Sequence, residues 1–441
     1  MKLHKMTLFV LAIILIMTIS ACSPSGASSD LYSKQPVPSS DVSSTDTSAP
    51  SVSDESSVSS LPERYPSAAD ELRGVWISYY ELYDILKGKT EAQFKKKISQ
   101  YFDDVKNANM NTVIVHVRPS SDAFYESEIF PWSMYVTGTQ GVSPGYDPLE
   151  YMVDAAHDRG LEFHAWINPY RVCQKKNLPI LAESNPAKIW LTDDDKSNDD
   201  NISATSGSYY YNPASEEARK LIISGVEELV KNYPIDGIHF DDYFYPTTAA
   251  DFDKSSYDAY KESATGTVMS LGDWRREQVN ILVRDVYSAI KAIDPRVVFG
   301  ISPAARIDYV RDELYADCAL WMKQSGYLDY ICPQLYFGFE HPQENVRFDA
   351  LLERWATLPM HGELEFYVGL ASYKIGTTDA GSTEWIDNSD ILKREILLCR
   401  NYEACDGVVF FSHTSIFGNK SGQKAEFNNV LPLFQDGGTD E

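Results

Sequence analysis

The sequence predicts a (β/α)8 barrel, and three observations carry that expectation. Eight short apolar segments recur along the chain, stretches of helical periodicity separate them, and nearly every apolar segment ends in polar or aromatic residues. Near-continuous apolar strands alternating with helices are the signature of parallel strands buried on both faces. Active sites of such barrels lie at the C-terminal strand ends, which is where the polar residues collect here.

The N-terminus comes first. Lys2 and Lys5 precede the apolar run Leu8–Met17, and Ile19-Ser20-Ala21-Cys22 follows. A basic start, a short apolar core and small residues before a cysteine read as a lipoprotein signal peptide over residues 1–21, with Cys22 as the lipidated residue. That places the protein outside the cytoplasm, anchored to a bacterial membrane through the lipid alone. Residues 22–66 are almost all Ser, Pro, Thr, Asp and Ala. Such a segment buries too little apolar surface to offset its ordering entropy, so it is expected to be a disordered tether, with a coil span on the order of 35 Å.

The barrel is expected to occupy residues 67–441. Its first strand is RGVWISY (Arg73–Tyr79), followed by a helical pattern over Glu91–Asn109. The second is TVIVHVRP (Thr112–Pro119), rich in β-branched residues, with a helix over Pro148–Arg159. The third is EFHAWINPY (Glu162–Tyr170), then a helix over Ser215–Asn232; the fourth is DGIHFDDY (Asp236–Tyr243), then a helix over Trp274–Ile293. VVFGISPA (Val297–Ala304), DYICPQLYF (Asp329–Phe337) and EFYVGLASY (Glu365–Tyr373) follow, and after a helix over Ser389–Ala404 the series closes with DGVVFFSH (Asp406–His413). A doubly wound open sheet is the rival, but it rarely has this many strands, and no Gly-rich phosphate loop follows the first one. No second domain is expected after the barrel.

The net charge of −25 argues against nucleic acid or anionic lipid as a partner. Apart from Cys22 there are five cysteines, Cys173, Cys318, Cys332, Cys399 and Cys405, which fit no metal-ligand spacing. A Cys399–Cys405 disulfide stays open.

The strand ends offer His116, Arg118, His164, Trp166, Asn168, Arg171, His239, Asp241, Asp242, Tyr243, Ser302, Gln334, Tyr336, Tyr373, Lys374, Ser412 and His413. Together they describe a lined polar cleft. Adjacent Asp241 and Asp242 are the most informative. Two like charges beside apolar residues are costly, and their closeness raises one pKa, which makes a usable general acid near neutral pH.

The segments ELRGVWIS, VRPSSDAFYESEIFPWS, GYDPLEYMVDAAHDRGLEFHAWINPYRV, DGIHFDDYFYP, FGISP and DYICPQLYF occur in that order. From about Glu71 to Phe417 the chain resembles glycosyl hydrolase-like family ten, a group of barrel glycosidases. The resemblance implies hydrolysis of glycosidic bonds, often by secreted or lipid-anchored proteins, some of them linked to peptidoglycan glycan strands. It implies no cofactor.

Strand four is also similar to the chitinase-type signature Asp-Gly-x-Asp-x-Asp-x-Glu, with Asp236, Gly237 and Asp241 in register. Tyr243 stands where that signature has its proton donor, so a chitinase mechanism does not carry over. A nearer likeness is the Asp-Asp pair of substrate-assisted N-acetylglucosaminidases. It implies that Asp241 orients the 2-acetamido group and Asp242 acts as general acid/base. Gln334 and Tyr336 are similar to the sixth-strand tyrosine motif of the chitinase clan, with Tyr336 as a donor to the acetamide or nucleophile. The leading expectation is therefore hydrolysis of an N-acetylhexosamine glycan, with peptidoglycan strands as the favoured polymer.

Other readings stay open. An ordinary glycosidase would pair one of these acids with a distant one, at about 5–5.5 Å if retaining and about 6.5–9.5 Å if inverting, and Asp122, Glu126 and Glu340 are placed to supply it. The substrate would then be another polysaccharide. A third reading makes the pair structural, with Asp241 salt-bridged to Arg118 or Arg171 and Asp242 capping a turn. A non-catalytic glycan-binding barrel is the non-enzyme alternative, against which the intact acid pair argues, because a binder needs no paired acids.

Arg118 and Arg171 could hold a sugar carboxylate or orient Asp241. His164, Trp166, Asn168, His239, Tyr243, Gln334, Lys374 and His413 complete the expected substrate-binding set. His116, His164 and His239 resemble a zinc cluster, but no spacing demands a metal, and hydrogen-bonding histidines are the preferred reading. Trp132, Tyr135, Trp166, Tyr243, Tyr245, Tyr336 and Phe337 suit stacking on sugar faces, although aromatics fill cores equally well. The acidic stretch Thr192–Asn201 lacks the Gly and Glu of a calcium loop and reads as a solvated loop. A monomer with a glycan as its partner is expected.

Overall fold

The computed structural model describes residues 71–435. The signal peptide, Cys22 and the tether lie outside the described residues.

Eight parallel strands close into a barrel: β1 Leu72–Ile77, β2 Thr112–Arg118, β3 Glu162–Ile167, β4 Gly237–Phe240, β5 Val298–Ile301, β6 Tyr330–Ile331, β7 Glu365–Leu370 and β8 Gly407–Phe411. They pair in chain order, and β8 returns to β1 with Leu72 opposite Gly407. The predicted fold is the observed one. The strands are shorter than their apolar runs: β4 stops at Phe240, so Asp241 and Asp242 begin the following loop. β6 is two residues long, and Pro333 beyond it has no N–H to extend the ladder.

Period-two alternation divides each strand between two cores. Val75, Val115, Ala165, Phe240, Phe299, Val368 and Phe410 pack outwards in the large core shared with the helices. Trp76, Ile114, Trp166, Tyr330, Cys332, Tyr367 and Val409 fill the barrel interior as a separate cluster. The interior tyrosine needs space that only a missing side chain leaves. A Cβ on Gly300 would lie 2.0 Å from the Tyr330 ring, and one on Gly237 would lie 2.8 Å from the His164 ring.

The helices begin where short polar side chains satisfy their first N–H groups. Thr90 and Gln93 form a reciprocal capping box at Glu91–Asn107, Asp147 caps Pro148–His157, and Ser215 caps Glu216–Asn232. The loop after β4 carries the helix Lys254–Ser263 ahead of the long helix Leu271–Ile293. It is pinned by a buried ion pair: Arg275 Nε donates to Asp253 Oδ2 at 2.9 Å, and the same guanidinium reaches the Ala249 carbonyl at 2.8 Å and the Tyr315 hydroxyl at 3.2 Å.

One feature was not expected. Between β3 and Glu216–Asn232 the chain makes an excursion in which Arg171–Gln174 and Ile202–Thr205 flank Ser208–Tyr211 in an antiparallel sheet. Arg171 thus opens this sheet rather than ending a barrel strand. The acidic stretch Thr192–Asn201 is the link to the strand Ile202–Thr205.

Candidate active site

Asp241 sits just past the end of β4 and is 2% exposed. Its Oδ2 accepts the Trp166 indole N–H at 3.1 Å and the Asn168 amide at 3.4 Å, both from the end of β3. The Tyr243 N–H donates to Oδ1 at 3.4 Å. Burial, and then the charge of Asp242, push the Asp241 carboxyl up to about 7, while Arg171 and the donors from Trp166 and Tyr243 oppose the shift. Asp242 is half-buried. Burial raises its carboxyl too, against its own backbone N–H, a hydrogen bond from Gln334 and the charge of Arg171. Gln334 is itself held by donating to the Ser302 carbonyl at 3.0 Å, so the ends of β5 and β6 fix the partner of Asp242. Two carboxyls raised together share protons as a pair, one ionised while the other is neutral.

Around this dyad the cleft is aromatic and carries one guanidinium. Arg171 lies 4.1 Å over the Tyr243 ring, within hydrogen-bonding reach of the Tyr243 hydroxyl. Burial pulls the guanidinium down, but Tyr243, Asp241 and Tyr79 outweigh it, and Arg171 stays charged. Among the described residues no carboxylate comes within ion-pair distance of it. On the far side, Tyr336 packs edge-on to Tyr373 at 5.6 Å and tilts against Phe411 at 5.8 Å. Burial pushes the Tyr336 phenol well above its ordinary range, so it is a neutral donor near Asp242. Trp166 is fixed from behind by His116, stacked on it at 3.7 Å.

The structure thus brings Asp241, Asp242, Trp166, Asn168, Arg171, Tyr243, Gln334 and Tyr336 together. Five other expected contacts do not join them. Arg118 is fully buried, with its Cζ 4.6 Å over the Phe130 ring and no hydrogen-bond partner on its guanidinium. The pairing of β2 with β3 slips between His116 and Arg118, which breaks the alternation that would have aimed it at the axis. His164 and His239 are interior core. Trp76 Nε1 donates to His239 Nε2 at 3.2 Å, so His239 carries its proton on Nδ1 and gives it to the Tyr330 hydroxyl at 2.9 Å. That hydroxyl in turn donates to His164 Nδ1 at 3.0 Å. Both rings face inward as expected, but they lie below the mouth with almost no exposed surface.

His413 is outside the barrel, stacked on Tyr101 at 3.9 Å and 3.5 Å from Asp104 on the helix Glu91–Asn107. Lys374 is paired with Asp379 at 2.6 Å in its own loop. Tyr245 belongs to the core, edge-on to Tyr315 at 5.2 Å.

None of Asp122, Glu126 and Glu340 is hydrogen-bonded to the dyad. Asp122 is buried against Gln140 at 2.9 Å, and burial pushes it up to about 6. The backbone of Glu126 is tied to Asp147 and Tyr233, and that of Glu340 to Glu384. Among the described residues no three His, Cys, Asp or Glu side chains are grouped so as to hold a metal ion. The described cysteines, Cys399 and Cys405 included, are free thiols.

Residues the sequence reasoning passed over also reach this end of the barrel. Tyr79 packs against Tyr135 at 4.8 Å and Tyr80 against Tyr79 at 4.0 Å, directly after β1. Phe411 ends β8. Their position at or just after a strand end was the available signal.

Comparison with known proteins agrees with this architecture. The chain is 37% identical to "Glycosyl hydrolase YngK" of Bacillus subtilis (strain 168), over 82% of this chain and 72% of the relative. It is 32% identical to "Glycosyl hydrolase DigH" of Escherichia coli (strain K12), over 79% of this chain and 84% of the relative. Among solved structures, the PgaB (BpsB) glycoside hydrolase domain of Bordetella bronchiseptica shares the fold with a TM-score of 0.56 and 14% identity, covering 82% of this chain and 99% of that domain. The catalytic domain of a Paenibacillus polymyxa beta-amylase matches with a TM-score of 0.53 and 11% identity, covering 83% and 99%. The family described as glycosyl hydrolase-like 10 matches residues 71–387, and the chain belongs to that family.

Proposed function

We propose that this protein hydrolyses an N-acetylhexosamine glycan, with cell-wall peptidoglycan strands as the substrate, by a substrate-assisted mechanism on Asp241 and Asp242. The observation that carries the reading is the unequal setting of two adjacent raised carboxyls. Asp241 is enclosed by three N–H donors, which favour its ionised form. Asp242 is the more open of the two and faces Gln334. In the free protein burial and the charge of Asp242 hold Asp241 up to about 7. In the substrate complex, where the acetamide N–H adds a further donor to Asp241, the shared proton is assigned to Asp242, where the leaving oxygen can meet it.

In the first step the 2-acetamido oxygen attacks the anomeric carbon as the glycosidic C–O bond breaks. Asp242 gives its proton to the leaving oxygen, and ionised Asp241 accepts the acetamide N–H and stabilises the positive charge of the oxazolinium. In the second step Asp242, now ionised, takes a proton from water as that water opens the ring. Tyr336 donates a hydrogen bond at the same centre, and Trp166 and Asn168 act on the reaction through Asp241. The compartment follows the same proposal: lipidation at Cys22 would anchor the enzyme outside the cytoplasmic membrane, tethered to reach the wall.

The test is product analysis by mass spectrometry after digestion of purified, peptide-stripped wall glycan, with neutral glucans in parallel. Cleavage of the wall glycan alone, to ordinary reducing ends, supports the proposal. Anhydro ends would make the enzyme a lytic transglycosylase. Cleavage of glucans alone would overturn the acetamido mechanism, and binding without new ends would leave a lectin-like barrel.

A further inference from the structure

Among the Phe, Trp and Tyr side chains of the described residues only Tyr80, Tyr243 and Tyr373 are exposed, at 52%, 41% and 43%. Single exposed aromatics need no explanation. The positions of these three do: Tyr80 comes shortly after β1, Tyr243 after β4 and Tyr373 after β7, all at the C-terminal end that carries the dyad. In an eight-strand ring β8 lies opposite β4, and β1 and β7 flank β8. Tyr243 therefore shares the dyad's side of the mouth, while Tyr80 and Tyr373 stand across it.

Each exposed ring is also backed by a second flat group that holds it in place. Tyr80 lies on Tyr79 at 4.0 Å, Tyr243 has the Arg171 guanidinium beneath it at 4.1 Å, and Tyr373 is braced by Tyr336 at 5.6 Å and Phe411 at 6.0 Å. A ring held in place by its neighbours and still partly open to water offers stacking area at little entropic cost.

We infer that Tyr243 on one side of the dyad, and Tyr80 and Tyr373 on the other, are sugar-stacking subsites for one glycan chain laid across the mouth. The protein then cuts within chains rather than releasing single terminal sugars. This rests on the proposed hydrolysis of an N-acetylhexosamine glycan and adds to it how the polymer is held and where it is cut.

The experiment uses β-1,4-linked N-acetylglucosamine hexamer and dimer with the wild type, Y80A, Y373A and the ring-preserving Y80F and Y373F, followed by hydrolysis rates and by calorimetric binding. Each alanine variant is expected to lose about three- to tenfold in hexamer affinity and in kcat/KM, mostly through KM, with the dimer unchanged and the phenylalanine variants close to wild type. Initial hexamer products are expected to be internal fragments. Hydrolysis with a chain-length preference that both alanine variants leave intact, or release of single sugars only, overturns the inference and spares the proposed function. Ring-dependent hexamer binding without hydrolysis has the opposite meaning: the subsites stand and the proposed reaction falls. Equal losses on hexamer and dimer would mark the rings as structural and also overturn the inference.

Discussion

The indole N–H of Trp166 donates to Oδ2 of Asp241 at 3.1 Å, tying a large ring at the end of β3 to the first acid after β4. The contact holds the carboxylate plane and favours its negative charge, in a position where burial and Asp242 both push the other way. The division of labour within the dyad turns on that balance.

Replacing Trp166 by Phe removes a donor to a charged group, worth about 1.5–3 kcal/mol, and keeps most of the ring. Loss of a donor destabilises the ionised form, so the Asp241 carboxyl rises from about 7. If the reactive state has Asp241 ionised and Asp242 protonated, the acidic limb of the pH–rate profile moves up by about one unit or more. Activity at pH 6 falls more than activity at pH 8. A limb that stays in place in W166F would remove Asp241 from the ionised role.

The Arg275–Asp253 pair has no exposed side-chain surface and fixes the loop after the dyad. Removing one partner leaves the other charge buried and unmatched, at a cost of about 3–5 kcal/mol. R275M is expected to lower the unfolding free energy by that amount, read as a lower urea midpoint with an unchanged slope. D253N should cost a similar amount.

Glu395 is fully buried, and neither carboxylate oxygen has a hydrogen-bond partner. Burial, with Glu426 and Glu384 nearby, pushes its carboxyl well above the ordinary glutamate value, and burial raises Glu426 to about 7. A carboxyl whose folded pKa is raised binds more protons folded than unfolded, so stability falls as pH climbs above the unfolded value of 4.5. E395Q is expected to raise the thermal midpoint at pH 8 and to change it little at pH 4.5. Equal midpoint changes at both pH values would contradict this assignment.

The barrel was legible because strands buried on both faces read as apolar runs, and because helices separate them at a regular beat. The dyad was legible because two acids followed an apolar strand. Height along the barrel was not legible. His164 and His239 face inward as alternation requires, yet alternation does not say that Tyr330 meets both of them below the mouth. The local slip beside Arg118 leaves no mark in composition, and it moves a guanidinium from axis to core. The excursion strands are four residues each, too short to show a period. Tyr80 looks like any other tyrosine until the ring of strands places it on one rim with Tyr373, a strand-end residue already expected in the cleft.

The central claim is that Asp242 carries the working proton, and D242N tests it with the fewest intervening assumptions. Turnover of peptide-stripped wall glycan by D242N is expected to fall by about 10²–10⁴, with hexamer binding retained. A D242N enzyme that cleaves the same glycan at the wild-type rate would contradict the account.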